Sequence, residues 1–348
     1  MPKTKEDRIN TVMGGGRHVV ILGAGASIAS TIRSPEANGK QLPSMDNFIE
    51  VVGLSDIIEM LPANLVTKNF ETLYSNLHKV NPRSDEILEI ERRVQSYFGD
   101  MQLPDEPTIY DHLILSLRPK DLIATFNWDP FLYQAFNRCG TKTTSPHITF
   151  LHGCVALGYS EEDDIAGPAN YYARRDGGFF EPTRLLYPVH QKNYTDDKFI
   201  AGEWERLKAW LASDATKRVT IFGYGAPQSD MEAVKLLDEA WGGRDKRNME
   251  QFEIIDVRPE ETVRKSWNRF IHSHHYDYCT DYFSSSLANN PRRTCESYFQ
   301  HYMPMTIDDA FSASNSIPKD IKTLQELKEW HQSLFDAEAR YYAEQEKE

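Results

Sequence analysis

Two short apolar runs, each ending at a glycine-rich turn, constrain the fold of this chain more than any other feature. His18 to Leu22 reads HVVIL and continues into GAGAS, and Arg218 to Phe222 reads RVTIF and continues into GYG. Runs of this length that are rich in β-branched residues are typical of buried strands in a parallel sheet. The glycines allow the backbone to turn sharply where each strand ends.

Three further runs have the same character, at Asp121–Phe126, His147–Leu151 and Phe252–Val257. Helical patterns separate the runs. The clearest has Ser84 as a candidate N-cap and is followed by apolar residues at helical spacing, namely Ile87, Ile90, Val94 and Phe98. Others cover about 196–212, 229–240 and 259–271. Strands that alternate with helices predict an α/β fold with a Rossmann-like, doubly wound parallel sheet.

The same patterns predict the domain organisation. We expect a mobile N-terminal segment at 1–17, one domain at 18–290 and a C-terminal helical region at 291–348. Within the domain we predict a helical insertion at about 46–118 and a loop excursion or small insertion at about 156–188. The last stretch is a charged amphipathic helix. Packing on the domain surface is its simpler interpretation, and partner binding or oligomerisation is the alternative.

Composition excludes several classes of protein. Lys+Arg number 39 and Asp+Glu 52, which gives a net charge of −13, so direct binding of nucleic acid is not expected. No apolar run approaches the ~20 residues that span a bilayer, and a signal peptide is not apparent. We therefore expect a soluble, cytoplasmic protein without membrane contact. The four cysteines lack CxxC spacing, which predicts free thiols, and the HSHH stretch at 272–275 is not expected to bind metal.

Polar and glycine residues follow the predicted strands where a ligand would bind. Gly23, Ala24, Gly25 and Ser27 follow the first strand, where a helix N-terminus presents N–H groups to a diphosphate. A tight turn without a ligand is the alternative. Ile28 replaces the third glycine of a hydride-transfer fingerprint, so the pattern does not favour a dehydrogenase.

Other strand ends carry candidate chemistry. Asn127 and Asp129 follow the second strand, and His152 follows the third. An Asx turn that caps the next helix, and a hydrogen-bonded structural histidine, are the alternatives.

A second glycine turn contributes Gly223 and Gly225, and Asp256 ends the last predicted strand. That carboxylate is a candidate for binding ribose hydroxyls, or else it caps the helix that begins near Pro259.

In their order along the chain, these motifs resemble the sirtuin superfamily. The matching segments are GAGAS at 23–27, FNWD at 126–129, HG at 152–153 and GYG at 223–225, and the similarity covers about 18–272. The segments LLYPVHQKNY at 185–194 and IFGYGAPQSDMEA at 221–233, with Trp204, are similar to bacterial sirtuin-like domains of antiphage defence proteins.

The resemblance implies NAD as the substrate and a role for each matching residue. Ser27 and the first glycine turn would contact the NAD phosphates and ribose, Asn127 and Asp129 the nicotinamide ribose, and Asp256 the adenosine ribose. His152 would be the catalytic histidine.

The sequence also departs from the family pattern. After Cys154 no cysteine follows until Cys279, so the family's four-cysteine zinc module is missing, and Phe126 replaces its glutamine. Both changes favour cleavage of NAD without an acylated protein substrate.

The expected function is that of an NAD glycohydrolase that releases nicotinamide and ADP-ribose. As a defence effector it would deplete NAD once switched on by homo-oligomerisation or by a separate sensor or activator protein. The alternatives are a non-catalytic subunit that senses NAD or ADP-ribose, and a protein deacylase or ADP-ribosyltransferase.

We also predict solvated side chains for Arg292 and Arg293. A lid over the crevice, or else a packed insertion, is predicted from the aromatic and basic residues Tyr171, Tyr172, Arg174, Arg175, Phe179 and Phe180.

Overall fold

The structure is a computed structural model that describes residues 3–32, 40–141, 143–171, 179–189, 194–226, 230–272, 274–302 and 314–347. Its strands are β1 Arg17–Leu22, β2 Leu122–Thr125, β3 His147–Phe150, β4 Leu157–Ser160, β5 Ile165–Pro168, β6 Glu181–Pro182, β7 Thr216–Phe222, β8 Gln251–Ile255 and β9 Tyr276–Cys279. Its helices are α1 Lys5–Asn10, α2 Ala24–Ser30, α3 Phe48–Val52, α4 Ser55–Glu59, α5 Phe70–Val80, α6 Asp85–Gly99, α7 Ile109–Ser116, α8 Phe131–Cys139, α9 Lys198–Ala212, α10 Met231–Trp241, α11 Glu260–Trp267, α12 Ser286–Asn289, α13 Thr294–Tyr302 and α14 Leu324–Gln345.

Six strands form one parallel sheet in the order β3-β2-β1-β7-β8-β9. In the centre of the sheet, Val19 of β1 pairs with Leu122 on one side and with Val219 on the other. The strand order reverses between β1 and β7, so the carboxyl ends of these two strands form the topological switch point of the sheet. The predicted Rossmann-like α/β fold class is confirmed.

Alternate residues of β1 enter two different cores, because successive side chains of a strand point to opposite faces. Val20 and Leu22 pack with the helices of the insertion, α7 among them. Val19 and Ile21 pack on the other face with residues of α9, α10 and α11. Burial on both faces explains why the sequence of this strand is a continuous apolar run.

The predicted helical insertion contains α3 to α7. In α6, Ser84 accepts a hydrogen bond from the Ile87 backbone N–H at 3.3 Å, as expected for the N-cap. The predicted apolar stripe is fully on the inner face, with Ile87, Ile90, Val94 and Phe98 all buried.

Two parts of the chain differ from the sequence-based expectation, and a third takes one of its two predicted forms. The segment predicted as a loop excursion or small insertion contains an antiparallel sheet in which β4 pairs with β5 and β6, as a small insertion would. The sheet gains a sixth strand, β9, whose sequence YDYC is only partly buried at the edge and so lacks an apolar run. The N-terminal segment predicted to be mobile forms α1, which packs against α14 and buries Arg8.

The C-terminal helix α14 is packed on the domain. Its inner face contains apolar Leu327, Leu334 and Ala337 together with buried Glu338. The prediction that Arg292 and Arg293 are solvated is wrong, because both side chains are buried.

The Glu338 carboxylate balances the charge of these buried guanidinium groups. Arg292 donates through Nε to Glu338 Oε1 at 2.9 Å, and Arg293 donates through Nη1 to the same oxygen at 2.6 Å. Arg118 lies 3.8 Å from this carboxylate and donates to Glu296 at 2.7 Å. Buried guanidinium groups need such partners, since an unpaired buried charge is very costly.

Two further findings concern the cysteines and the helices. All four cysteines are free, as predicted from their spacing. Within the described ranges, none of the helices combines the length and the apolar composition needed to cross a bilayer.

Replacement of Glu338 by glutamine tests this ionic cluster. We expect Glu338→Gln to lower the free energy of unfolding by about 3 to 5 kcal/mol, because the buried arginines lose their counter-charge. Urea unfolding followed by circular dichroism measures the change. Glu344→Gln, on the exposed face of the same helix, is the matched control and should change stability by less than about 0.5 kcal/mol. Equal effects of the two substitutions would contradict this account.

Candidate functional site

The two glycine turns lie directly against each other at the switch point of the sheet. The Gly25 backbone N–H donates to the Gly223 carbonyl at 3.0 Å. A Cβ atom on Gly23 would lie 2.6 Å from Tyr224 Cα, and one on Gly25 would lie 2.8 Å from Gly223 Cα. Gly223 also has a φ of +62°. Glycine is therefore required here by the close approach of two backbones.

This contact changes the role of the first turn. The sequence predicts N–H groups of α2 that are free to bind a diphosphate, but the Gly25 N–H is bonded to Gly223 and the Ala26 N–H to the Gly23 carbonyl, both at 3.0 Å. The glycines of this turn are explained by packing between the two turns. Contact of Gly23, Ala24 and Gly25 with NAD stays a prediction.

Asn127 is fixed at this turn by its side-chain amide. Its Nδ2 lies 2.8 Å from the Gly23 carbonyl, 2.9 Å from Ser27 Oγ and 3.1 Å from the Tyr110 hydroxyl. Three acceptors around one nitrogen determine which way the amide faces. The Asn127 Oδ1 atom accepts no hydrogen bond from the described residues, so it is left as an acceptor for a ligand or a water molecule.

A chain of hydroxyl groups extends from Asn127 to Asp129. Ser27 Oγ donates to Asp129 Oδ2 at 2.6 Å and lies 2.7 Å from the Tyr110 hydroxyl. Serine has a single hydroxyl proton, so with that proton given to Asp129 the Tyr110 hydroxyl must donate to Ser27. The order of donation is thus Tyr110 to Ser27 to Asp129.

Sequence reasoning missed Tyr110, which lies in the apolar helix α7 and is completely buried. Its own segment, IYDHLILS, contains neither a glycine turn nor the end of a predicted strand. The available signal was general: the hydroxyl of a buried tyrosine usually has a hydrogen-bond partner.

Asp129 also forms the Asx turn that was the alternative prediction for this segment. Its Oδ1 accepts from the Phe131 backbone N–H at 3.2 Å, at the start of α8. Burial raises the pKa of Asp129 to about 6, although the hydrogen bonds from Ser27 and Phe131 act in the opposite direction. The carboxylate is thus ionised at neutral pH, in an environment that disfavours its charge.

His152 is buried among aromatic rings at the neighbouring strand end. Its ring lies edge-on to Phe126 at 4.8 Å and nearly parallel to Tyr194 at 6.1 Å. Phe126 in turn stacks on Tyr224 at 4.2 Å, and Tyr224 contacts the first glycine turn. The stacked rings of Phe126 and Tyr224 therefore lie between His152 and the glycine turns, whereas Asn127 is hydrogen-bonded directly to Gly23.

Asp256 and Gly225 lie together around a residue that sequence reasoning missed, Arg258. Arg258 donates to Asp256 through Nε at 2.9 Å and through Nη2 at 2.5 Å, and a Cβ atom on Gly225 would lie 2.6 Å from its Nη1. Burial alone would raise the pKa of Asp256, but the hydrogen bonds and charge of Arg258 hold it below its ordinary value. Pro259 is the N-cap of α11, so Asp256 does not cap that helix.

The remaining candidates have other contacts. His272 is bonded to the Gly242 carbonyl at 3.0 Å and His275 to the Met249 carbonyl at 3.1 Å. In the part of the chain that the structure describes, no three His, Cys, Asp or Glu side chains form a metal-binding group. Of the predicted lid, Phe180 is buried and Tyr171 and Phe179 are exposed, while Tyr172, Arg174 and Arg175 lie outside the described residues, so the lid stays a prediction.

Comparison with known proteins finds distant structural neighbours. No protein-family model matches the chain, and no curated protein sequence matches it. Among solved structures, the chain is similar to a Sir2 homologue in complex with NAD, at 12% identity and a TM-score of 0.40, with 84% of this chain and 93% of that chain covered.

A histidine-to-asparagine mutant of a Sir2 homologue with ADP-ribose aligns at 11% identity and a TM-score of 0.37, over 73% of this chain and 86% of that one. A Sir2 complex with the inhibitor EX-527, 2'-O-acetyl-ADP-ribose and a deacetylated p53 peptide aligns at 12% identity and a TM-score of 0.37, over 79% and 91%. These similarities are distant, and the case for a nucleotide site rests on the geometry of this chain.

The raised pKa of Asp129 predicts a pH-dependent stability. Below about pH 6 the folded protein binds a proton at Asp129, while the unfolded chain stays ionised down to the ordinary value of 3.8. Stability from this group should therefore increase as the pH falls through that window, by about 3 kcal/mol in total. Urea unfolding of the wild type and of Asp129→Asn between pH 7 and 4 measures the difference. A difference that does not vary with pH would contradict the assignment.

Proposed function

We propose that this protein is an NAD glycohydrolase that cleaves NAD to nicotinamide and ADP-ribose. The observation that supports it best is the fixed amide of Asn127 at the switch point, with Oδ1 as a remaining acceptor and His152 at the next strand end. Ligands of doubly wound sheets bind at this place. In this proposal Gly23, Ala24, Gly25, Ser27, Asp129, Gly223, Gly225 and Asp256 form the NAD site.

The chemistry requires positioning more than acid catalysis. Nicotinamide leaves the cationic pyridinium as a neutral ring, so the leaving group needs no proton. The barrier lies in the oxocarbenium-like ribose, which an enzyme stabilises by orienting the sugar and its nucleophile. A water oxygen forms the new bond to the anomeric carbon as the glycosidic bond breaks. Asn127 Oδ1 orients that water or a ribose hydroxyl, and His152 accepts the proton.

We prefer hydrolysis to acyl transfer because the sequence has no cysteine between Cys154 and Cys279, and so the four-cysteine module is missing. Where the four-cysteine module would lie, the small sheet of β4 to β6 follows the third strand. Cys154 is buried, and its Sγ lies 3.4 Å from the Asp129 carbonyl, so it serves the local structure.

We extend the proposal to the role of the protein in the cell. A cytoplasmic NAD glycohydrolase would deplete the NAD pool, which suits a defence effector that is switched on by self-association or by a separate sensor protein. Activity that increases with protein concentration would support self-association.

Nicotinamide release from NAD tests the proposal directly. His152→Ala and Asn127→Ala should each lower kcat by at least about 100-fold, because each removes a group that acts on the nucleophile or its proton. His272→Ala, which alters a histidine bonded to a backbone carbonyl, is the matched control and should keep its activity. Full activity of either site variant would remove that residue from the mechanism.

The same assay separates the alternative functions. Binding of NAD or ADP-ribose without turnover would favour a non-catalytic sensor subunit. Turnover only with an acylated peptide would favour a deacylase, and a labelled protein product would favour an ADP-ribosyltransferase.

Tyr110 should assist the reaction through Ser27 and Asn127. We expect Tyr110→Phe to lower kcat about tenfold, the effect of one positioning hydrogen bond, with little change in KM. Because Tyr110 and Ser27 act in one chain, the effects of Tyr110→Phe and Ser27→Ala should not add in the double variant. Tyr282→Phe, a buried tyrosine whose hydroxyl lies 3.4 Å from Ser116, is the control. Additive effects would show that the two residues act separately.

A further inference from the structure

An open cleft of about 710 Å³ lies beside the candidate site, between helices α5 and α6 and residues 184–189. Its walls contain none of the residues proposed to bind NAD. Ligand pockets for small molecules have volumes of roughly 300 to 1,000 Å³, so the cleft is large enough for a small-molecule ligand.

The floor of the cleft is aromatic and held in place. The rings of Tyr74 and Tyr187 stack with their centroids 4.7 Å apart and their planes 16° apart. The Tyr74 hydroxyl donates to Glu91 Oε1 at 2.5 Å, and the Tyr187 hydroxyl donates to the Glu91 carbonyl at 3.3 Å. Burial raises the pKa of both tyrosines, so they are neutral rings at physiological pH.

The rim of the cleft is rich in guanidinium groups. Arg83, Arg92 and Arg184 line it, and Arg92 is held by two hydrogen bonds of 2.7 Å to Glu89. Arg83 and Arg184 are exposed at this rim.

Two carboxylates also line the cleft, Asp196 and Glu91, and Glu91 is engaged by Tyr74. Because Arg92 is paired with Glu89, Arg83 and Arg184 are the cationic groups that an anionic occupant would contact.

We propose that this cleft is a second ligand site, which binds a small phosphorylated molecule with a planar ring, of the nucleotide class. The arginine forks match phosphate oxygens, and the tyrosine floor provides apolar contact for a ring. The proposal goes beyond the proposed reaction, since neither the walls nor the floor of the cleft take part in it.

The cleft is connected to the candidate site through its floor. The Leu186 backbone N–H donates to the His152 carbonyl at 2.9 Å. The Tyr187 ring lies 4.9 Å from the ring of Trp128, which stands between Asn127 and Asp129 in the chain. A ligand in the cleft therefore contacts the segment that supports two strand ends of the site.

Calorimetric titration of the full chain with AMP tests the proposal. The double variant Arg83→Gln/Arg184→Gln should bind AMP at least tenfold more weakly than the wild type. Adenosine and inorganic phosphate, titrated separately, should each bind at least tenfold more weakly than AMP, since each has only half of the required groups. Arg244→Gln/Lys246→Gln removes two exposed charges elsewhere and should leave AMP affinity unchanged.

The proposal would be overturned if the wild type did not bind AMP at millimolar concentration, or if the wild type and Arg83→Gln/Arg184→Gln bound AMP with equal affinity. Asn127→Ala and His152→Ala should keep AMP affinity within twofold. If those two variants lost AMP binding and the arginine variant kept it, AMP would bind in the NAD site, and the cleft would be excluded as the AMP site. Nicotinamide release, measured separately, decides the proposed reaction whatever the outcome here.

Discussion

The contact between the two glycine turns determines how the candidate site is assembled. Gly25 and Gly223 come close enough for a backbone hydrogen bond only because neither has a side chain. This contact joins the ends of β1 and β7, the two central strands. It also fixes the Gly23 carbonyl, to which Asn127 of the next strand end is bonded. Main-chain atoms thereby hold the ends of β1 and β7 together, and the Asn127 side chain attaches the end of β2 to them.

Much of the sheet was predictable because burial on both faces leaves a simple record in the sequence. The strands predicted from the sequence are the four interior strands β1, β2, β7 and β8, together with edge strand β3, whose last two residues are buried. Glycine or polar residues follow each of them within two positions. Edge strand β9 and the small antiparallel sheet were not predictable by this rule, since their residues are partly exposed and their strands short. Helix α1 was missed because its packing partner lies at the other end of the chain.

The site was predictable to the extent that strand ends of a parallel sheet converge. That rule brings Ser27, Asn127 and Asp129 together, and these residues are hydrogen-bonded to one another or to a shared partner. It does not reach Tyr110, which approaches from a helix of the insertion. Nor does it predict that the Gly25 N–H is used within the protein, because the contact with Gly223 joins segments about two hundred residues apart.

The buried charges around Glu338 have a consequence for how this chain can be divided. A fragment that ended before Glu338 would retain each strand and each candidate residue of the site. In that fragment, however, the guanidinium groups of Arg118, Arg292 and Arg293 would lose the Glu338 carboxylate that balances their charge. Helix α14 is therefore part of the folding unit, and the smallest self-sufficient piece of this protein extends well beyond the residues that would bind and react.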